Sequence, residues 1–137
     1  MLPKHRLHHL NQAPSPLCWW NSGDVENYQH LLYQCAKNKE SGQALLQCIK
    51  SYDRNVTEIK SLRLELAPDE PFLLATISLL SSGLELIWEN RKLKKCTALF
   101  SMRAELENAI SIKRRSRLRR VRETASIMEN MIVNFLN

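Results

Sequence analysis

The spacing of apolar residues over positions 70–136 constrains the fold more than any other feature of this sequence. Apolar side chains recur there at alternating steps of four and three, the pattern of a buried helix face. The two clearest runs are Leu73, Ile77, Leu80, Leu84 and Ile87, then Leu118, Val121, Ala125, Met128, Ile132 and Phe135. The chain has only 3 glycines and 5 prolines in 137 residues, too few turn formers for a many-stranded sheet. We therefore predict an all-α protein.

Local signals divide the chain into two predicted units. Prolines and the turn residues around Gly23 make residues 1–24 irregular, and a short amphipathic helix is expected at about 25–36. These form a knuckle-plus-helix unit over residues 1–40. Residues 41–137 should form a helical hairpin or bundle, with a helix starting at Pro68–Pro71 and a long basic C-terminal helix. A break near 93–97 would let two helices fold back on each other, but no proline or glycine forces it, so one long helix is the alternative.

Hydropathy and cysteine usage suggest where such a chain resides. The longest uncharged stretch, 71–84, has 14 residues, fewer than the roughly 20 that a membrane-spanning helix needs. The N-terminus has no apolar run typical of a secretory signal. We therefore predict an intracellular protein, nuclear or cytoplasmic, without a membrane span. The four cysteines are then expected to be reduced thiols: Cys18, Cys35, Cys48 and Cys96.

Positive charge is concentrated near the C-terminus. The formal net charge is +6, and the segment 111–122 contains seven basic residues and no acidic one: Lys113, Arg114, Arg115, Arg117, Arg119, Arg120 and Arg122. Residues 1–23 also lack acids and carry Arg6 and three histidines. Such segments favour polyanions, RNA or DNA first and acidic lipid second, although a solvated helix face remains the alternative. Trp19 and Trp20 could stack on bases or cap a small core.

Three residues near the N-terminus have the chemistry of metal ligands. They are Cys18, His30 and Cys35, and zinc takes about four sulfur or nitrogen ligands in a tetrahedral arrangement. A fourth ligand could come from His8, His9 or Cys48. The alternative is that Cys35 is a core thiol and His30 a partly exposed polar residue.

The same residues carry a resemblance to a known family. The segments Arg6–Leu10, Ala13–Cys18 and His30–Leu32, with Glu26 and Cys35, resemble the region downstream of the reverse transcriptase in many non-LTR retrotransposon proteins. That region has a Cys-x-x-Cys pair, an acidic residue, a His and a final Cys. The resemblance implies a degenerate CCHC zinc knuckle over residues 1–40, with zinc as cofactor on Cys18, His30 and Cys35. Asn21 stands where the family has its second cysteine.

The C-terminal half is similar to tails that follow this knuckle in some such elements, in three segments: 86–95, Met102–Glu107 and Arg114–Arg117. Because the family's catalytic domains lie upstream, the resemblance implies a protein that is not an enzyme and has no catalytic residue of its own. The expected function is a non-catalytic nucleic-acid-binding remnant of a reverse transcriptase polyprotein. Its contacts would come from Lys113 through Arg122 together with Arg6, Trp19 and Trp20.

Three alternatives remain at this stage. Residues 73–87 and 118–135 could form a seam for protein–protein interaction or homodimerisation, with the arginines solvated. The basic amphipathic stretch 113–136 could lie on an acidic membrane. The chain could also be a retroelement fragment without a selected function.

Overall fold

The computed structural model describes residues 3–10, 17–18, 23–66, 69–133 and 135, with the side chains of His5 and Leu7 left out. The described residues form six α-helices and one five-residue π-helical turn, with no strand beyond an isolated bridge. The elements are α1 (Lys4–His9), the π turn (His30–Gln34), α2 (Lys39–Lys50), α3 (Glu58–Leu62), α4 (Glu70–Lys92), α5 (Leu99–Arg114) and α6 (Arg119–Ile132). The predicted all-α class is confirmed.

The boundaries of α4 follow from its sequence. The Asp69 side chain accepts a hydrogen bond from the Phe72 amide at 3.2 Å, and Pro71 lies in the first turn, a common helix start. The helix ends without a proline: Lys94 has a positive φ of 52°, and its amide donates to the Arg91 carbonyl. The chain therefore breaks near 93–97 instead of continuing as one long helix.

Helices α4, α5 and α6 pack against one another in pairs, and α2 lies across them. The side chains at the centre of this bundle are almost fully buried: Leu45, Ile49, Leu79, Ile87, Met102, Leu106, Met128 and Met131. A Cβ on Gly83 would lie only 3.0 Å from Leu45 and 3.3 Å from Met102, so this glycine permits close packing. Much of the predicted interaction seam is thus buried within a single chain.

The C-terminal basic helix differs from its prediction because residues 115–118 interrupt it. The Arg115 and Ser116 amides donate to the Ile112 and Lys113 carbonyls, and the Ser116 hydroxyl accepts from the Leu118 amide. The chain then reverses, which lets Ala125 and Met128 of α6 reach the core. We call residues 113–122 the basic turn, since they span the end of α5, this reversal and the start of α6. In the stretch that could alternatively have lain on a membrane, Leu118 is exposed, whereas most of the described apolar residues from Ala125 onward are packed inside the bundle.

Two local predictions in the N-terminal unit differ from the structure. Residues 4–9, predicted to be irregular, form the short helix α1, and the helix expected at about 25–36 is largely replaced by the π turn.

Helix α4, with 23 residues, is the longest helix in the described part of the chain. Arg120, in the first turn of α6, forms an ion pair with Glu70 at the start of α4, whereas Arg91 near its far end contacts the N-terminal segment. Between these two positions the helix rises about 32 Å. Among the described helices α4 alone is long and apolar enough to cross a membrane. Its Phe72, Ala75, Leu79 and Ile87 side chains are buried against the other helices, so one face of this helix contributes to the core of the bundle.

Candidate metal centre and basic turn

Cys18, His30 and Cys35 are brought together. One potential ligand atom from each lies within 4.8 Å of the other two, and all three residues are buried. The two Sγ atoms are 3.8 Å apart. Two thiolates on one tetrahedral ion, with bonds of about 2.3 Å, would be about 3.8 Å apart. The three residues therefore lie close enough to hold a metal ion, and the sulfur spacing suits one.

The π turn explains how His30 and Cys35 reach the same side. In an α-helix, residues five apart point about 140° away from each other. Here the Cys35 amide donates to the His30 carbonyl at 2.7 Å, an i to i+5 bond that widens the turn and aligns positions five apart. The Asn27 side chain accepts from the His30 amide at 2.8 Å and fixes the start of the turn.

Helix α2 supports the π turn through Gly42. A Cβ at this glycine would lie 1.5 Å from the Leu32 carbonyl oxygen, so only a residue without a side chain can be accommodated. The Asn38 side chain also donates to the Leu31 carbonyl at 3.0 Å. These contacts hold the π turn against the body of the protein.

Cys18 is presented by a short loop. Leu17 and Val25 form an antiparallel bridge, and the Cys18 amide donates to the Asp24 carbonyl at 2.8 Å. Gly23 has a φ of +88°, a conformation that glycine adopts without strain. Leu17 and Cys18 therefore lie beside residues 23–25, with the Cys18 sulfur next to that of Cys35 at the end of the π turn.

A buried ion pair beside this cluster ties it to α4. The Glu26 carboxylate is fully buried and accepts from Arg91 Nε at 3.1 Å and Nη2 at 2.6 Å. The backbone amide of Lys4, at the start of α1, donates to the same carboxylate at 2.7 Å. Arg91 also lies over the Trp88 ring, 4.4 Å from its centroid. Sequence reasoning did not identify this pair, because 65 positions separate the two residues.

Burial controls the protonation of nearby groups. It raises the pKa of the Cys35 thiol to about 11, with the neighbouring Cys18 contributing in the same direction. Burial likewise raises the pKa of the Cys48 thiol to about 11. Cys35 without a metal is therefore protonated at neutral pH, and a bound ion would have to displace that proton.

The other residues considered as metal ligands do not join the cluster of described residues. His8 and His9 are exposed on α1, and Cys48 lies in the bundle core. Asn21, at the position of the family's second cysteine, and the tryptophans Trp19 and Trp20 lie outside the described residues.

The basic turn presents six exposed arginines and the half-buried Lys113. Three of the arginines form ion pairs with glutamates of the same chain: Arg114 with Glu129, Arg119 with Glu123 and Arg120 with Glu70. The other four cations have no carboxylate partner among the described residues: Lys113, Arg115, Arg117 and Arg122. Arg115 and Arg122 instead donate to the carbonyls of Ser111 and Ser116.

The residues predicted to contact nucleic acid do not form one surface. Arg6 is exposed on α1, whose first residue contacts Glu26 and thereby the far end of α4. The basic turn lies at the opposite end, about 32 Å away along the helix axis.

Comparison with known proteins identifies no relative of this chain. No protein-family model matches the chain, and no curated protein or solved structure is significantly similar to it. The fold and the site define the protein as a small helical bundle with a buried Cys–His–Cys cluster. The likeness to non-LTR retrotransposon proteins stays a hypothesis carried by the residues quoted above.

Proposed function

We propose that this protein binds RNA or DNA without catalysing a reaction on it, and that the basic turn is the binding element. The observation that carries the proposal is the group of four basic residues there without a carboxylate partner among the described residues. Nucleic-acid backbones attract such groups through charge, with release of counterions. An intracellular location and an origin in a retroelement polyprotein are parts of the same proposal.

The local geometry supports phosphate binding by two of these arginines. A carbonyl holds one guanidinium nitrogen of Arg115 and one of Arg122, so each side chain is partly ordered before binding. The remaining N–H groups are available to phosphate oxygens, which guanidinium groups bind in pairs. Less conformational entropy is then lost when the complex forms.

We further propose that the Cys–His–Cys cluster binds zinc as a structural ion. Two thiols and one imidazole are ligands that zinc favours, and the sulfur spacing of 3.8 Å suits a tetrahedral ion. Zinc would supply a crosslink between the loop carrying Cys18 and the π turn. Cys18, His30 and Cys35 would be its ligands.

The test of the binding element is fluorescence anisotropy with single-stranded and duplex RNA and DNA across a salt series. The variant K113Q/R115Q/R117Q/R122Q removes the four cations without a carboxylate partner and leaves the three ion pairs intact. On a single strand each phosphate contact adds about 0.7 to the log–log salt slope. We expect the variant to lose affinity and its slope to fall by about 3.

The matched control removes the same charge elsewhere. Lys37, Lys39, Arg54 and Lys60 are exposed and distant in sequence from the basic turn, and their change to Gln should leave most of the affinity. Equal losses in both variants would refute the proposed element. Because Ile112 and Leu118 are also exposed here, vesicles containing an anionic lipid form another arm. Binding to vesicles but to no nucleic acid would replace this function with a membrane-surface role.

A further inference from the structure

The two sulfurs of the cluster are also arranged for covalent pairing. We propose that Cys18 and Cys35 form an intramolecular disulfide when no metal is bound, so that metal and disulfide are alternative states of one site. Their Sγ atoms are 3.8 Å apart and both thiols are free. A disulfide bond of about 2.05 Å requires them to approach by a little under 2 Å.

The remaining cysteines lie in other parts of the fold. The Sγ atoms of Cys18 and Cys35 are 3.8 Å apart, whereas Cys48 belongs to the core cluster of the bundle and Cys96 to the connection between α4 and α5. The fold therefore favours a disulfide between Cys18 and Cys35 over any pairing that includes Cys48 or Cys96.

The backbone at both partners allows the small movement that is needed. Cys35 follows the last residue of the π turn and has extended dihedral angles, φ −63° and ψ 127°. Cys18 lies outside any helix, shortly before Gly23, which has a positive φ. Closure can thus proceed by adjusting one loop and one helix end, while the bundle core stays in place.

The reaction balances with a disulfide as the oxidant, and oxidised glutathione is a suitable one. When the segment carrying Cys18 opens to solvent, one cysteine gives up its thiol proton to water and the resulting thiolate attacks a glutathione sulfur. A mixed disulfide forms, and the expelled glutathione thiolate takes up a proton. The second cysteine thiolate then attacks the cysteine sulfur of that mixed disulfide and expels the second glutathione. The protein loses two hydrogens overall, and oxidised glutathione is reduced to two thiols. A metal that holds both sulfurs blocks the first attack.

The test uses the full chain, stripped of metal by a chelator, reduced and desalted. It is incubated with oxidised glutathione, then denatured at low pH to stop exchange, and the remaining thiols are alkylated in denaturant and counted by intact mass, because three of the four cysteines are buried in the folded chain. The chain has four free cysteines, so we expect four labels before oxidation and two afterwards, with a crosslink between the peptides carrying Cys18 and Cys35. Zinc at about ten times its Kd, added first, should slow the loss of labels about tenfold.

The variant C48S/C96S keeps only the pair in question and should go from two labels to none. It also keeps the proposal testable if C18S or C35S fails to fold. Stable glutathione adducts, or crosslinks to Cys48 or Cys96 in the wild type, would overturn the pairing. Equal rates with and without zinc would overturn the exclusion between metal and disulfide, and direct zinc titration of the reduced chain tests the metal site separately.

Discussion

At the scale of single residues, the Glu26–Arg91 pair is the most consequential contact. Both side chains are nearly removed from solvent, 0% and 8% exposed, and burial of ions is costly unless their hydrogen bonds are satisfied. The guanidinium satisfies the carboxylate through two nitrogens, and the Lys4 amide adds a third donor. The pair is thus a specific link between the N-terminal segment and α4.

Removing one partner should be much worse than removing both. We expect R91M to lower the free energy of unfolding by about 3–5 kcal/mol, because the buried Glu26 carboxylate would lose the positive charge that compensates for its burial. The double variant E26Q/R91M should recover a large part of this loss. Urea denaturation measures both values.

The neighbouring Lys92 provides the control. It is exposed and forms only a surface pair with Glu89, so K92M should change stability by less than about 1 kcal/mol. Equal effects of R91M and K92M would mean that the buried pair contributes no more than a surface contact.

Some residues of the site could be predicted from the sequence, and others could not. Cys18, His30 and Cys35 could be named in advance because few residue types bind metals and their spacing resembles a known pattern. Arg91 could not, since it lies in a charged stretch, Glu89 to Lys95, that is typical of a solvated helix end. Only the packing of α4 against the N-terminal segment distinguishes it.

At the scale of elements, the π turn and α2 depend on each other. The i to i+5 bond aligns His30 and Cys35, and the absence of a side chain at Gly42 lets α2 contact the Leu32 carbonyl. Sequence periodicity identified α4, because regular apolar spacing needs no tertiary information, but it left open whether this helix ends near 93–97. It did not identify the π turn or the reversal at 115–118, since neither is marked by a glycine or a proline.

Gly42→Ala should therefore destabilise the protein by about 2 kcal/mol or more, even though alanine favours a helix. The new Cβ would overlap the Leu32 carbonyl oxygen and separate α2 from the π turn. We also expect weaker metal binding, because His30 and Cys35 would lose their support. Thermal denaturation with and without zinc measures both effects.

Gly83→Ala serves as the comparison, because its Cβ would meet the flexible ends of Leu45 and Met102 at 3.0 and 3.3 Å. Its effect should be smaller than that of Gly42→Ala. A Gly42→Ala protein as stable as the wild type would show that the close approach is not needed.

At the scale of the whole molecule, the cluster and the basic turn lie at opposite ends of α4. One is attached near Arg91 and the other near Glu70. The sequence indicated both features but could not give their separation, which depends on how α5 and α6 fold back along α4. Their distance suggests that each works without the other.

Zinc should raise the thermal stability of the wild type and of C96S, but not of C18S. At a concentration 1,000 times its Kd, one ion stabilises the folded state by about 4 kcal/mol. Because the Glu26–Arg91 pair links the N-terminal segment to α4, unfolding should remain a single transition in calorimetry.

Removing zinc should change nucleic-acid affinity by less than about twofold.

The control for this prediction on nucleic-acid affinity is the log–log salt slope of binding, which should be the same before and after zinc is removed by a chelator. A fall in both affinity and slope, with the helical circular dichroism unchanged, would mean that the N-terminal segment takes part in nucleic-acid binding after all.

The separation of Glu26 from Arg91 also has a consequence for synthesis of the chain on the ribosome. The carboxylate emerges 65 residues before its guanidinium partner, an interval of about 3–13 seconds at roughly 5–20 residues per second. During that time Glu26 stays hydrated, because no guanidinium is yet present to compensate for the burial of its charge. The segment that carries Cys18, His30 and Cys35 can therefore bring these side chains together early, but it can dock only after α4 has been translated. The first residues made are thus among the last to reach their native place.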